Sequence, residues 1–548
     1  MMLKRYMFFL SVLAFAVSCG KENGGGDTPV TPGADSDIEV NGTRISDGNY
    51  LYGLIKNSVT GEGIAGVPVS DGYTVTVTDA NGVYQFKSDL KSRYVFYTTP
   101  SAYKVRLDPT SKTPSFYSVK KIPRKQYCRN DFTLEPLDSQ EEKFSLVMIA
   151  DPQVKNTNTV NIFKTTTMED FSETLGSDRE RYGNVYAFAL GDIVNSTSLY
   201  DLWAPVGTTL ARVKLSDGTF VPVFKCIGNH DLDNRSGVAS DYDAIQPFID
   251  NFGPTDYSLN RGNIHIVVMD NMVFKRISSS AAADVEEYFT SERLEWLHQD
   301  LALIPDKGQK TIVFCCHGPF LSSKHASAKT VLSMLSQFKE AHIMCGHTHY
   351  SRNNLSSVKS MNGTQIYEHN QATASGVRYN GDINRNGAPI GYGIYVADKD
   401  GICDWVEKST GFPEDFQMKI YNGADTYTAN DSFSWSSEGY GKGWFIVNVW
   451  NEDSAYWKVE FVQNGTVTTM KRVFPATDVN AATFLTDRQK LDDNSFAKIS
   501  TLYVMKAPGG DPLKESGWTV RATQTIPGSG KINVYESNTF QRDYTGME

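Results

Sequence analysis

Apolar positions follow two patterns along the chain. From about residue 45 to 137 they alternate with polar ones in short runs, as in "YLYGLIKNSVTGEGIAGVPVSDGYTVTVTDANGVYQF". There Thr74, Thr76 and Thr78 fall on one side of a strand and Val75 and Val77 on the other. "TGEG" and "DANG" supply turn residues, so residues 45–137 are predicted to form an all-β module. Between 143 and 370 the apolar runs become continuous: "FSLVMIAD", "NVYAFALGD", "VPVFKCIGN", "NIHIVVMD", "KTIVFCCHG" and "AHIMCGH". Such runs fit strands covered on both faces. Between them apolar residues recur at helical spacing. Leu294, Leu297, Leu301 and Ile304 follow a Ser291 cap, and Val331, Met334, Leu335 and Phe338 share a second face. Strands alternating with amphipathic helices predict an α/β fold for 143–370. From 372 to 545 short strands and turns return. Trp435, Trp444, Trp450 and Trp457 there read as the core of a β-rich module rather than a glycan platform.

The first residues are of another kind. "MMLKRYMFFLSVLAFAVSCG" has Lys4 and Arg5, an apolar run from Met7 to Val17, then Ser18-Cys19. That is the form of a bacterial lipoprotein signal over 1–19, with Cys19 as the lipidated residue. Residues 20–44 contain "GKENGGGDTPVTPGADSD" and are expected to be a flexible tether. The expected location is the cell envelope, outside the cytoplasm, with the lipid anchor as the only membrane contact. The net charge of −10 disfavours a nucleic-acid-binding surface. Cys226, Cys315, Cys316 and Cys345 sit in apolar runs, without disulfide or zinc-site spacing, and are expected to be buried thiols.

The candidate chemistry lies where the strands of 143–370 stop. The first ends at Asp151 and Gln153, the second at Asp192 and Asn195, and the third at Asn229, His230 and Asp231. A later one ends at His317 and the last at His347 and His349. In α/β sheets ligands bind beyond the carboxyl ends of strands. Carboxylate, amide and imidazole together suit two hard or borderline divalent cations. Glycines before Asp192, Asn229 and His347 are expected to let the backbone turn sharply there.

The order D-x-Q, G-D-x-x-N, G-N-H-D, H, G-H-x-H resembles the calcineurin-like metallophosphoesterase superfamily, over about 40% of the chain. "GVPVSDG…TDANGVYQF" resembles a transthyretin-like or carboxypeptidase-regulatory-like β-sandwich. The three-part layout is similar to bacterial lipoproteins that carry the catalytic domain between two β-modules. The resemblance implies a four-layer α+β fold, a β-sandwich flanked by helices. It implies that Asp151, Gln153, Asp192 and His349 hold one metal, and that Asp192 bridges to a second held by Asn229, His317 and His347. His230 would stand near the leaving group as a catalytic residue. Asn195, in place of an aspartate common in phosphatase branches, would orient water, metal or His230. Gln153 replaces the usual histidine with a weaker, harder ligand, which favours Mn²⁺ or Mg²⁺ over Zn²⁺, with iron a further candidate. The implied activity is hydrolysis of phosphate mono- or diesters by hydroxide at a dinuclear centre. Expected substrates are a phosphorylated small molecule, sugar or lipid headgroup. The alternative is a non-catalytic surface lipoprotein that binds a glycan or partner through a degenerate site.

Other candidates have plainer readings. His265 is mid-strand and structural. His325 lies on a loop near the site. His298 and His342 are expected at the surface or at helix ends. "DINRNG" (Asp382 to Gly387) starts like a calcium loop, but Gly393 stands where that loop needs glutamate. It reads as a turn, with a place on the active-site rim as a further option.

Overall fold

Each continuous apolar run becomes a buried strand in the computed structural model, which describes residues 38–88, 91–120, 127–276, 283–376, 383–425, 434–489 and 498–541. Cys19, the expected signal segment, residues 20–37 of the expected tether and Asp382 lie outside these residues. The end of the expected tether is not a free chain but a short hairpin, Glu39–Val40 with Thr43–Arg44, that buries Val40. Strands β1 (Lys143–Ile149), β2 (Asn184–Leu190) and β3 (Val223–Cys226) pair in parallel. A second sheet contains β4 (Tyr257–Arg261) and β5 (Ile264–Val268). A hairpin, β6 (Met272–Lys275) and β7 (Asp284–Glu287), follows. The second sheet continues with β8 (Thr311–Cys315), β9 (Glu340–Cys345), β10 (Arg352–Lys359) and β11 (Gln365–Asn370), in the order β4-β5-β8-β9-β11-β10.

The continuity of the apolar runs has a direct cause. Phe144, Leu146 and Met148 of β1 share a core with Ile266, Val313 and Met344 of the second sheet. Val147 and Ile149 face the opposite way, into a core with Phe163, Phe171, Trp203 and Leu210 from the outer helices. On the far side of the second sheet, Trp296, Leu297 and Leu301 of helix Ser291–Ala302 and Val331 and Leu335 of helix Ala326–Leu335 complete a helix–sheet–sheet–helix stack. Thr290, not Ser291, caps the first of these helices, accepting a bond from the Arg293 amide.

Two strands from beyond residue 372 complete the first sheet. β12 (Gly391–Asp398) pairs antiparallel with β1, and β13 (Gly401–Ser409) pairs with β12. The turn-rich texture of this segment matches the β-module that follows it, yet its hydrogen bonds belong to the first sheet. Beyond it lie two four-stranded sheets enclosing Phe445, Val459, Phe461 and Trp518. Trp435, Trp450 and Trp457 are buried in this region and Trp444 is half-buried.

The N-terminal module is also built of two small sheets. Its strand Val75–Val77 lies on an edge, so Val77 is exposed while Thr78 is buried and binds the Val67 amide and the Ile64 carbonyl. Arg261 fastens this module to the α/β domain. Its fully buried guanidinium donates to the carbonyls of Pro100, Ser101 and Tyr103 and lies 3.4 Å from Glu141.

Candidate metal centre

The polar residues at the strand ends converge. Asp192, His317 and His347 bring one ligand atom each to within 4.8 Å of one another, and Asp151, Asp192 and His349 do the same. Asp192 belongs to both groups. His317 Nε2 lies 3.3 Å from Asp192, and His349 Nε2 lies 3.5 Å from Asp151. Asn229 Oδ1 is 3.1 Å from His317 Nε2 and 2.9 Å from His347 Nδ1. Gln153 is present too, but its Nε2 donates to Asp192 Oδ2 at 3.0 Å. In this arrangement the amide supports the shared carboxylate. A half-turn of the amide would offer its oxygen instead.

The backbone pays for this convergence in strain. Asp151, Gln153, Asp192, His347 and His349 all have φ between 42° and 68°. Each such non-glycine residue costs on the order of 1–3 kcal/mol, held in place by surrounding structure. These are five of the seven candidate ligands, so the strain is concentrated at the site. The glycines play different parts. Gly191 has φ 92°, as a sharp turn requires. Gly228 and Gly346 are needed for close approach instead. A Cβ on Gly228 would lie 2.2 Å from the Asp192 amide nitrogen, and one on Gly346 would lie 2.4 Å from Asp151 Oδ2.

Buried hydrogen bonds lock the loops to one another. Asp231 accepts from the amides of Ile193, Val194 and Gly228, joining the loops after β2 and β3. The Gln153 amide donates to the Asp192 carbonyl, and the His347 amide donates to Asp151. His317 Nδ1 lies 2.7 Å from the Leu190 carbonyl. With the proton there, Nε2 is left to ligate. His230 is oriented by Asn195, but through that residue's main-chain carbonyl, 2.8 Å from Nδ1. The exchange of Asp for Asn does not alter this contact.

Electrostatics match the geometry. Burial alone would raise the Asp192 carboxyl, but His317 and His230 outweigh it and hold the group well below the usual carboxylate range. Burial opposes protonation of His317, yet Asp192 and Asp151 push it up to about 10. Without cations, a proton on His317 balances the shared carboxylate. The donor set fits divalent metal ions: carboxylates, imidazoles and amides converge from separate strands, with a buried floor and half-buried His347 and His349.

The remaining histidines are accounted for. His265 is buried between Asn260 and Asp300. His325 caps helix Ala326–Leu335 and stacks on Tyr288 at 4.6 Å. His298 is exposed. His342, expected at the surface, is fully buried on β9 with Nδ1 3.0 Å from His369 Nε2. Polar neighbours such as Lys339 and Glu340 obscured this in the sequence. Asn384 to Gly387 form a turn, and the Arg385 amide donates to the His349 carbonyl. Glu287, which no sequence motif marks, lies 3.4 Å from His347 Nε2.

Three segments match family descriptions: residues 52–137 "N terminal of Calcineurin-like phosphoesterase", 145–351 "Calcineurin-like phosphoesterase" and 368–526 "C terminal of Calcineurin-like phosphoesterase". No curated protein sequence matches the chain. Among solved structures, it is similar to a purple acid phosphatase from yellow lupin (Lupinus luteus) seeds. That pair is 11% identical over 63% of this chain and 74% of the other, with a TM-score of 0.33. It is also similar to a 5'-nucleotidase from Candida albicans, 14% identical over 48% of each chain, with a TM-score of 0.28. The chain thus carries the N-terminal, catalytic and C-terminal domains of a calcineurin-like phosphoesterase, a hydrolase of phosphoric ester bonds.

Proposed function

We propose that the protein is an extracytoplasmic, lipid-anchored phosphoesterase that works with a dinuclear divalent metal centre. The observation that carries this reading is the pair of ligand clusters sharing Asp192. Asp151, Gln153, Asp192 and His349 would hold the first ion, and Asp192, Asn229, His317 and His347 the second. Such ions would supply a water of lowered pKa and positive charge opposite a phosphoryl group. The chain's own residues do the rest. Asp192 fixes the separation of the two sites. His230, held through Nδ1 by the Asn195 carbonyl, keeps Nε2 free to steady or protonate the leaving oxygen. Mn²⁺ or Mg²⁺ suits the neutral amide of Gln153 better than Zn²⁺ does.

The substrate is a phosphorylated small molecule, sugar or lipid headgroup met outside the cytoplasm. The motif of Lys4, Arg5 and Cys19 supports that location. A binding protein with a degenerate centre has Gln153 and Asn195 as its only support, and the convergence of the other ligands counts against it.

The test is hydrolysis of p-nitrophenyl phosphate and its bis-ester by metal-stripped protein, resupplied with Mn²⁺, Mg²⁺ or Zn²⁺. Metal-dependent turnover that Asp192→Asn abolishes is the expected result. Two bound Mn²⁺ ions without turnover of either ester would favour the binding protein.

A further inference from the structure

We infer that Glu287 is a positioning residue of the second metal site, holding His347 by its Nε2–H so that Nδ1 is the ligating nitrogen. This rests on the dinuclear reading above. A neutral imidazole carries one N–H, and its partner decides which nitrogen keeps it. Glu287 Oε1 lies 3.4 Å from His347 Nε2, within ion-pair distance. The opposite nitrogen, Nδ1, faces Asn229 Oδ1 at 2.9 Å and His317 Nε2 at 3.2 Å. Those atoms belong to the other candidate ligands of the same ion. A carboxylate facing Nε2 therefore selects the tautomer whose lone pair points into the cluster.

His317 offers the internal comparison. Its Nδ1 faces the Leu190 carbonyl at 2.7 Å, leaving Nε2 for the ion. The two imidazoles thus present opposite nitrogens, each with its own outer partner. A carboxylate does more than a carbonyl, because its charge also makes the imidazole a stronger donor to a cation.

The hairpin that carries Glu287 is fastened to the site. Glu287 ends β7 opposite Met272 of β6. Asn271, just before β6, donates to the Gly318 carbonyl at 2.8 Å and accepts from the Gly318 amide at 3.1 Å. Gly318 follows His317 directly. A Cβ there would lie 2.4 Å from Met272 Cε and 3.1 Å from Glu287 Oε2, so a bare residue lets the hairpin close over the loop. The neighbouring Glu286 pairs with Lys275 instead.

The experiment is a calorimetric titration of the metal-stripped full chain with Mn²⁺, alongside Glu287→Ala, Glu287→Gln and the control Glu286→Gln. Wild type should bind two ions. Glu287→Ala should weaken one of them about 10- to 100-fold and leave the other unchanged. Glu287→Gln, which keeps an acceptor but loses the charge, should fall between, and Glu286→Gln should match wild type. Two unchanged sites in Glu287→Ala, or equal weakening of both, would overturn the assignment. A wild-type protein that binds fewer than two ions would instead remove the dinuclear reading on which it rests.

Discussion

Asp192 and His317 stand 3.3 Å apart, both buried, at the ends of strands from two different sheets. In the absence of cations they form an ion pair, with the carboxyl held low and the imidazole pushed up to about 10. A cation that takes His317 Nε2 must displace this proton. Below the raised pKa, each fall of one pH unit strengthens the competing proton tenfold. Between pH 7 and 9, the apparent Mn²⁺ affinity of that site should therefore rise about tenfold per pH unit, with release of about one proton. Titration calorimetry in buffers of different ionisation enthalpy measures both. A pH-independent affinity would refute the pairing.

Gly346→Ala probes the close approach of the last motif to the first. The added methyl would stand 2.4 Å from Asp151 Oδ2 and 3.0 Å from the Ala150 Cβ. The carboxylate must move, and with it the ligand shared with His349. Metal affinity at the first site should drop by at least roughly 10- to 100-fold, the loss typical of disturbing a ligand's support. Circular dichroism should stay unchanged, since the strands themselves are untouched.

Arg261→Met tests the fastening of the N-terminal module. It would leave Glu141 buried without its cation and remove the donor to three carbonyls of residues 100–103. Breaking a buried pair by removing one partner costs about 3–5 kcal/mol. The expected result is an earlier unfolding transition in urea. An unchanged midpoint would show that docking of the module does not depend on Arg261, leaving contacts such as Thr98 with Ser258 and Trp296 with Ser70 to hold it.

Glu407 supplies a pH signature of stability. Burial pushes its carboxyl up to about 8, against hydrogen bonds from Ser351 and Ala372. The folded state therefore keeps a proton that the unfolded chain releases above its ordinary carboxylate range. By linkage, Glu407 favours the fold least where it must ionise, and stability falls as pH rises toward 8. Glu407→Gln removes that dependence. Its stability advantage over wild type should grow by about 1.4 kcal/mol per pH unit between pH 5 and 8. Parallel stability curves for the two proteins would contradict the shift.

Much of the site was legible because each strand-end motif is local. A run such as Leu146 to Ile149 must be buried on both faces, so the first polar residues after it, Asp151 and Gln153, lie at the sheet's carboxyl edge. Glycine positions were legible but their reason was not. That Gly228 and Gly346 admit no Cβ depends on Asp192 and Asp151, which arrive from other loops. His342 and Glu287 escaped for the same cause. The apolar run of β9 is local, but the His369 ring that pairs with the His342 ring is not, nor is the hairpin residue 60 positions before His347 that faces its ring.

The sequence by itself determined the strand and helix alternation, the module texture on either side, and the kinds of ligand at each strand end, because those follow from residue period and chain direction. Tertiary structure decided which candidate ligands come together and which atoms they present. Asp192 joins both clusters because β2 lies between β1 and β3 while the second sheet brings His317 and His347 over them. It also drew β12 and β13 into the catalytic sheet, since the open edge of β1 needed a hydrogen-bonding partner that only a distant segment could supply.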